Sequence, residues 1–380
     1  MKPSALFALA LLTSASSLTA APKQGTDDEP PLLEKRAAVA AGEIEWIDGT
    51  RIPLEGRAFS EGARPYSRLP EAARTRPDLE KVVLNMDAPV GMCFRFRTDS
   101  NVLRVRWSLR RKPPYHMANA SPLLNAGIDV YRWMPGLGWR FWMTGLPRNQ
   151  TNEIACAWTP DTPCMIYLPT TSAPDKIEVG VKAGSKIEPL GPRTSGIAKP
   201  VVFYGPSMVH GYSSSRPGMV WPNILSRLLD VPTVNQGYNG QARMEPSLCD
   251  YMAEIDASAY CFLCCGGQMS VEDMRVKFPP FFRKLHKARP DVPIVVGEFY
   301  YTVGPDAYDF ANPKRDFMRR LVAELKTEDP VLWKNLYLVN RADMICADGD
   351  GTVDAAHFND RGAWKCAEAF AAVLKRALGL

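Results

Sequence analysis

The first part of the chain alternates between apolar and polar positions. From residue 43 to about 187, short runs such as 91–97 and 102–107 carry apolar side chains at every second position and are separated by turns. Alternation with a period of two is typical of strands that bury one face. Because helical patterns are rare in this part, residues 43–192 are predicted to form an antiparallel β-sandwich.

Beyond a stretch rich in proline and glycine at residues 189–200, the pattern changes and strands alternate with helices. Strands are predicted at 200–204, 232–235, 259–265, 293–298 and 336–339, and helices at 219–229, 245–253, 271–288, 314–326 and 362–378. Such βα units need crossover connections, so residues 198–380 are predicted to form a parallel sheet with helices on both faces. Pro279 and Pro280 are expected to interrupt or kink the helix at 271–288.

The first 42 residues follow neither pattern. Lys2 supplies a positive charge, residues 5–12 are apolar, and small residues continue to Ala21. This order is typical of a secretory signal peptide, which we place at residues 1–21. An uncleaved anchor is the alternative, but the apolar run is short for a membrane span. Residues 22–42 are interpreted as a linker, and the mature protein is expected to be secreted or periplasmic without a membrane span.

Composition narrows the range of partners. At 380 residues, with 46% hydrophobic and 23% charged residues, the chain resembles an ordinary globular protein with room for two domains. Lys and Arg number 46 against 41 for Asp and Glu, and the surplus is spread along the chain. This balance gives no basis for binding nucleic acid or an anionic membrane. The sequence does not indicate an oligomeric state.

The nine cysteines give an odd count, so at least one thiol stays free if disulfides form after export. Cys156 and Cys164 are the best local candidates for a disulfide. Cys261, Cys264 and Cys265 lie in an apolar strand pattern that places Cys261 and Cys264 on opposite faces, so core packing is favoured over ligation. No spacing of His and Cys indicates a metal site, and no cofactor is expected.

Candidate chemistry begins at Ser207, just beyond the predicted strand at 200–204. Open α/β sheets bind ligands at the carboxyl ends of their strands, although a surface serine in a turn is the alternative. A serine nucleophile needs a base, and the base needs an acid that orients it. Asp354 and His357 lie close enough in sequence to form that second pair.

Two glycine-rich turns are expected to converge on Ser207 from neighbouring strands. Residues 235–240 follow the second predicted strand and residues 265–268 follow the third. Gly240 can present a backbone N–H to a substrate oxygen, and the Gln268 amide can donate a second hydrogen bond. Acyl transfer needs such donors where the tetrahedral oxyanion develops, whereas plain loop structure is the alternative for each turn alone.

Together these stretches resemble the SGNH (GDSL-like) serine hydrolases, in the two-domain type with an N-terminal β-sandwich. The resemblance extends from about residue 43 to the end of the chain. Its motifs are the nucleophile block at 205–211, the second block at 235–240, the third block Gly266-Gly267-Gln268, the last block Asp354-Ala355-Ala356-His357, and the N-terminal signature Gly127-Ile128-Asp129-Val130-Tyr131.

The resemblance implies a flavodoxin-like three-layer α/β/α hydrolase domain, preceded by a jelly-roll-like sandwich. By position, Ser207 would be the nucleophile, His357 the base and Asp354 the orienting acid. The N–H of Ser207, the N–H of Gly240 and the Gln268 side chain would form the oxyanion hole. The family normally carries Asn where this chain has Gln268, which keeps the amide but extends it by one methylene.

The implied function is an exported serine esterase that removes short acyl groups, with O-acetylated carbohydrate as the substrate suggested by the family. One alternative is a non-catalytic glycan-binding protein on a degenerate hydrolase fold, and another is a lysophospholipase or thioesterase. The expected partner is a small-molecule or glycan ester. Trp133, Trp139 and Trp142 are candidates for a sugar-stacking platform, but core packing is favoured. The sandwich is expected to pack on the hydrolase domain without supplying a triad member.

Overall fold

The computed structural model describes residues 43–112, 118–264, 269–298, 314 and 316–380. The predicted signal peptide and linker, at residues 1–42, lie outside the described residues. Among the helices that the structure describes, none combines the length and the apolar composition needed to cross a membrane.

The first domain consists of two antiparallel sheets, and the predicted sandwich is confirmed. Its strands are β1 (Ile44–Asp48), β2 (Leu54–Glu55), β3 (Cys93–Thr98), β4 (Val102–Leu109), β5 (Ile128–Met134), β6 (Gly138–Gly145), β7 (Thr151–Ala157), β8 (Cys164–Tyr167), β9 (Pro174–Lys182) and β10 (Ile187–Pro189). A short helix, α1 (Pro122–Ala126), precedes β5. One sheet has the order β1-β9-β4-β7 and the other β10-β3-β8-β5-β6, with β2 paired to β3.

The core between these sheets follows directly from the alternation in the sequence. Along β4, Leu103, Val105 and Trp107 are buried, and the residues between them are partly exposed. They pack against Phe94 and Ile166 of the facing sheet. The Trp107 indole N–H donates to the Ala126 carbonyl at 2.8 Å, so this large side chain is buried without an unsatisfied donor.

The second domain contains a five-stranded parallel sheet in the part of the chain that the structure describes. The strands are β11 (Val201–Gly205), β12 (Thr233–Gly237), β13 (Ala259–Phe262), β14 (Ile294–Gly297) and β15 (Leu336–Val339), in the order β12-β11-β13-β14-β15. This is the flavodoxin-like order, and the direction of strand addition reverses between β11 and β13. The predicted parallel sheet is therefore confirmed.

Helices cover both faces of this sheet, which completes the predicted three-layer architecture. They are α2 (Ser207–His210), α3 (Trp221–Leu229), α4 (Pro246–Glu254), α5 (Val271–Ala288), α6 (Phe317–Glu328), α7 (Arg341–Met344) and α8 (Asp360–Leu378). Side chains of α3 and α8 pack on one face, and side chains of α4, α5 and α6 pack on the other.

The described cysteines are buried free thiols, which confirms one prediction made for them and contradicts another. Cys261 packs in the core beneath α3 and α8, and Cys264 packs in the core beneath α4 to α6, so their predicted placement on opposite faces is confirmed. Cys156 and Cys164 are buried free thiols, and the predicted disulfide is wrong. They lie in β7 and β8, which belong to opposite sheets, and packed sheets are about 10 Å apart whereas a disulfide needs Cα atoms within about 7 Å.

Helix α5 continues through Pro279 and Pro280, and the interruption predicted there does not occur. Its start is fixed by a capping box, in which the Asp273 N–H donates to Ser270 Oγ at 3.0 Å and the Ser270 N–H donates to Asp273 Oδ2 at 3.2 Å. Its apolar face, which includes Phe278, is buried against the sheet. Tertiary packing of this face offsets the backbone hydrogen bonds that the prolines remove.

The two domains share one of the cores of the parallel sheet. The segment between β2 and β3 contributes buried apolar side chains to the core under α4 to α6, namely Leu69, Ala73, Leu79, Val82 and Met86. The boundaries predicted for the two domains, 43–192 and 198–380, therefore stay a prediction, because the core under α4 to α6 includes residues from both ranges.

Arg68 joins the same segment to the end of β12. Its side chain is fully buried, and its guanidinium donates to the carbonyls of Asn235 at 3.3 Å, of Gly237, and of Asn85 at 2.7 Å. It also lies over the ring of Tyr238, 4.3 Å from the centroid. The first domain thus supports the carboxyl end of the strand that leads into the second sequence block.

Candidate active site

Ser207 begins α2 immediately after the end of β11. Gly205 closes the strand, and a Cβ atom at that position would collide with the Leu263 carbonyl and the Val209 side chain. The turn therefore needs glycine, and it places Ser207 at the carboxyl edge of the sheet, as predicted. Ser207 also follows β11, one of the two strands between which the direction of strand addition reverses.

Ser207, His357 and Asp354 form a continuous chain of hydrogen bonds. Ser207 Oγ lies 2.7 Å from His357 Nε2, and His357 Nδ1 lies 2.7 Å from Asp354 Oδ2. A carboxylate can only accept, so Nδ1 carries the hydrogen and Nε2 is free to accept from the serine hydroxyl. The structure thus brings together all three predicted triad residues, two of which are 150 positions apart.

A tight loop holds Asp354 and His357 in this arrangement. The Val353 N–H donates to the His357 carbonyl at 3.0 Å. Asp354 Oδ1 accepts from the N–H groups of Ala356 at 3.2 Å and His357 at 2.7 Å. Ala355 has a φ of +70°, in the left-handed region that residues with a Cβ seldom occupy. The loop that directs the Asp354 carboxylate toward the His357 ring therefore contains a strained backbone conformation at Ala355.

The Asp354 carboxyl is held in its ionised form. Burial alone would raise its pKa, but hydrogen bonds from the His357 backbone, the His357 ring and the Asn119 amide hold the pKa of Asp354 below its usual range. An ionised acid beside Nδ1 fixes the imidazole tautomer and stabilises the imidazolium that forms when Nε2 takes a proton.

Asn119, in the loop before α1, reaches this carboxylate from the first domain. Its Nδ2 lies 3.1 Å from Asp354 Oδ2 and 3.3 Å from His357 Nδ1. All three triad candidates come from the second domain, as expected, but the first domain contacts two of them. Sequence reasoning missed Asn119 because no motif marks it, and it meets Asp354 only through domain packing across 235 positions.

The signature at 127–131 lies at the interface between the domains. Asp129 is fully buried, and its Oδ2 accepts from the Arg216 guanidinium at 2.8 Å and from the Gly218 N–H at 2.6 Å. The Tyr131 hydroxyl accepts from the same guanidinium at 2.8 Å. A Cβ atom at Gly218 would collide with the Tyr131 side chain, which explains the glycine. The signature therefore binds the loop that follows the nucleophile.

The second block differs slightly from its prediction. β12 extends through Gly237, so Asn235 lies in the strand, where its Nδ2 donates to the Val209 carbonyl at 2.7 Å. The turn comes later and contains Gly240, whose φ of +70° favours glycine. Gly240 is therefore at the same edge of the sheet as Ser207. Gln268, the third predicted oxyanion donor, lies outside the described residues.

His210 connects the second-block turn to the first domain. It is fully buried, and its Nε2 lies 3.0 Å from the Thr170 carbonyl, so Nε2 carries the hydrogen. Its Nδ1 accepts from the Asn239 N–H at 3.2 Å. Burial, followed by the positive charge of Arg68, lowers the pKa of His210 to about 3. Sequence reasoning placed His210 in the nucleophile block but did not recognise this contact.

A cavity of about 950 Å³ lies away from these residues, between the β5–β6 hairpin and helices α3 and α8. Trp133, Trp139 and Phe141 line it, and the triad candidates do not. Trp133 and Trp139 pack edge to face with ring centroids 5.5 Å apart, and Trp139 is buried. Trp142 is covered by the Arg132 guanidinium, whose central carbon lies 3.7 Å from the ring centroid. The three tryptophans therefore do not form a shared open platform.

Comparison with known families identifies the chain. Residues 198–375 match the model of the GDSL-like lipase/acylhydrolase family, and residues 44–187 match the model of the N-terminus of SGNH-hydrolase-type esterases, called GxDLY. The chain belongs to the two-domain SGNH (GDSL-like) hydrolases. The resemblance inferred from the sequence is confirmed, and this SGNH hydrolase is a carboxylic ester hydrolase.

Solved structures share the whole two-domain arrangement. A protein described as a GDSL-like lipase, from Bacteroides ovatus ATCC 8483, has 26% identity and a TM-score of 0.78, covering 89% of this chain and 98% of its own. The salicylyl-acyltransferase SsfX3 of a tetracycline biosynthetic pathway has 18% identity and a TM-score of 0.67, with the same coverage. A family two carbohydrate esterase from Cellvibrio japonicus has 10% identity and a TM-score of 0.56, again with the same coverage. The last two show a shared fold alone. No curated protein matches the sequence.

Proposed function

We propose that this SGNH hydrolase is an exported esterase that removes short acyl groups from carbohydrate through a Ser207-His357-Asp354 triad. The observation that carries the proposal is the chain of two 2.7 Å hydrogen bonds from Ser207 Oγ through the His357 ring to Asp354. A base within hydrogen-bonding distance of a serine, oriented in turn by an acid, is the arrangement that activates a serine nucleophile.

Acylation begins when Ser207 Oγ attacks the ester carbonyl carbon. His357 Nε2 accepts the hydroxyl proton as the new O–C bond forms, and Asp354 stabilises the resulting imidazolium. The tetrahedral intermediate then collapses, the bond to the sugar oxygen breaks, and His357 returns the proton to that oxygen. The products of this half-reaction are the free alcohol and an acyl group on Ser207.

Deacylation repeats the same proton transfers with water. His357 Nε2 takes a proton from a water molecule as the water oxygen attacks the acyl carbon. The second tetrahedral intermediate releases the carboxylic acid, and the proton returns to Ser207 Oγ. Acid and base roles are thus carried by one imidazole in both halves of the reaction.

Three donors are proposed for the oxyanion hole. The Ser207 N–H is at the first position of α2, where a backbone N–H has no acceptor within the helix. The Gly240 N–H is in the turn after β12, and the Gln268 side-chain amide would supply the third hydrogen bond. The assignment of Gln268 depends on its position in the third block of the family.

The carbohydrate substrate is supported by likeness in fold. A family two carbohydrate esterase from Clostridium thermocellum, solved in complex with cellohexaose, aligns with a TM-score of 0.55 and 10% identity. It covers 76% of this chain and 93% of its own. The proposed signal peptide at residues 1–21 would deliver the enzyme to the compartment where polymeric glycans occur. The hydrogen-bonded triad favours catalysis over the alternative of a glycan-binding protein.

A substrate panel tests the proposal. Hydrolysis is measured on p-nitrophenyl acetate, acetylated oligosaccharides, a lysophospholipid and an acyl thioester, with wild type and Ser207→Ala. Acetate release from the oligosaccharides that disappears in Ser207→Ala is expected. Ser214→Ala, which removes a buried hydroxyl seven positions away, is the matched control and should retain activity. Glycan binding without any hydrolysis would favour a binding protein, and preferential cleavage of the lipid or thioester would refute the substrate class.

A further inference from the structure

Asn119 belongs to the first domain and contacts the proposed triad, but it has no role in the catalytic steps described above. Its amide nitrogen lies 3.1 Å from Asp354 Oδ2, the same oxygen that accepts from the His357 ring. We propose that Asn119 is a positioning residue, which holds the Asp354 carboxylate from across the domain interface so that Oδ2 stays aligned with His357 Nδ1. The inference rests on the proposed roles of Asp354 and His357.

The donors to the Asp354 carboxylate show why an outside contact matters. Oδ1 accepts from the N–H groups of Ala356 and His357, which are within three positions of Asp354. Oδ2 accepts from the His357 ring and from Asn119. The Asp354 side chain is 35% exposed, so water can compete for its second oxygen. A fixed amide at that oxygen adds a restraint on rotation of the carboxylate, beyond the two local N–H groups on Oδ1 and the His357 ring on Oδ2.

The contact between Asn119 Nδ2 and His357 Nδ1, at 3.3 Å, supports this interpretation. Nδ1 carries the hydrogen that it donates to Asp354, so it has no lone pair to offer the amide. Both nitrogens therefore donate to one carboxylate oxygen, which has two lone pairs available. Their short separation is the geometry expected of two donors that share an acceptor.

Asn119 is itself held firmly by both domains. Its carbonyl accepts from Ser213 Oγ at 2.6 Å, in the loop that follows the nucleophile helix. The next residue, Ala120, is buried against Tyr212. Ser121 Oγ then caps α1 and also donates to the Ser215 carbonyl at 2.9 Å. A side chain on such a restrained backbone can orient its partner.

A change of charge at position 119 provides a sensitive test. Asn119→Asp adds a carboxylate of the same shape beside Asp354 and His357. Added negative charge favours the protonated imidazole, and two neighbouring carboxylates raise the pKa of one of them. The Tyr212 ring also faces the imidazole, with centroids 6.3 Å apart, and is unchanged in every variant.

The experiment compares wild type, Asn119→Ala, Asn119→Asp and the control Asn101→Ala, which alters an exposed asparagine of the same domain. kcat and KM for p-nitrophenyl acetate are measured across pH. Asn119→Ala is expected to lower kcat about 5- to 50-fold with little change in KM, because one hydrogen bond to a charged group is lost. Asn119→Asp is expected to lower it further and to move the acidic limb of kcat/KM to higher pH. A lower Tm with unchanged kcat and pH profile would overturn the proposal.

A second measurement does not depend on activity. The chain has four histidines, so the His357 ring can be assigned by NMR with a His357→Ala reference, and its titration followed in each variant. The titration midpoint of His357 is expected to be higher in Asn119→Asp than in wild type and unchanged in Asn101→Ala. An unchanged midpoint in Asn119→Asp would refute the role of Asn119 even in an active enzyme. Absence of any hydrolysis that depends on Ser207 would instead refute the proposed function.

Discussion

His210 should make the stability of this SGNH hydrolase fall as the pH drops below neutrality. Its ring is fully buried, and both nitrogens are committed: Nε2 donates to the Thr170 carbonyl, and Nδ1 accepts from the Asn239 N–H. Protonation would place a hydrogen on Nδ1 opposite another donor. The folded protein therefore resists a proton that the unfolded chain accepts.

The size of the effect follows from two pKa values. An unfolded histidine has a pKa of about 6.5, and burial and Arg68 lower the pKa of His210 to about 3. Between these values the unfolded state binds more protons, so the free energy of unfolding decreases with falling pH. Above about pH 6.5, His210 is neutral in both states and does not make the free energy of unfolding depend on pH. At pH 5 this free energy is lower by about 2 kcal/mol because of His210, and below about pH 3 His210 causes no further change.

Urea unfolding at pH 7.5 and pH 5.0 measures this contribution when wild type is compared with His210→Gln. Gln keeps an amide for hydrogen bonding but cannot titrate. The variant is expected to be less stable at pH 7.5, yet to lose about 2 kcal/mol less than wild type between the two pH values. Equal losses in the two proteins would refute the interpretation of His210 as a buried neutral ring.

Three further predictions concern the buried cation, the shared core and the oxyanion hole. Arg68→Met leaves its carbonyl acceptors without a donor and is expected to lower the free energy of unfolding in urea by about 2–5 kcal/mol. The control Arg76→Met changes an exposed arginine and should cost less than about 0.5 kcal/mol, so equal effects would contradict the role of Arg68. A chain beginning at residue 197 loses core side chains worth about 1.5–3 kcal/mol each and is expected to show no cooperative thermal transition, so a cooperative transition would contradict the shared core. Gln268→Ala is expected to lower kcat about 10²–10³-fold with little change in KM, whereas a lower Tm alone would remove it from the oxyanion hole.

The sequence was sufficient to predict the antiparallel sandwich and the parallel sheet with its helices, because periodicity reports burial directly. In β4 the apolar positions alternate, and in β13 they are continuous because both faces of a parallel sheet are covered. Ser207 and the Asp354–His357 pair were predictable for a similar reason. Each is a short local motif whose meaning depends only on its place after a strand or within a loop.

The contacts between the domains were not predictable from patterns. Arg68 bonds to carbonyls 167 and 169 positions away, and Asn119 bonds to a carboxylate 235 positions away. No periodicity connects such residues, since their approach depends on how the finished domains pack.

The central claim, that His357 activates Ser207, is tested most directly by covalent labelling. The folded protein is treated with an alkyl fluorophosphonate, which forms an O–P bond with an activated serine and releases fluoride, and the adduct is located by intact mass and peptide mapping. One adduct on Ser207 is predicted for wild type and for Ser214→Ala, with much slower labelling of His357→Ala. No adduct on folded wild type, an adduct on another serine, or equal labelling of His357→Ala would contradict the account.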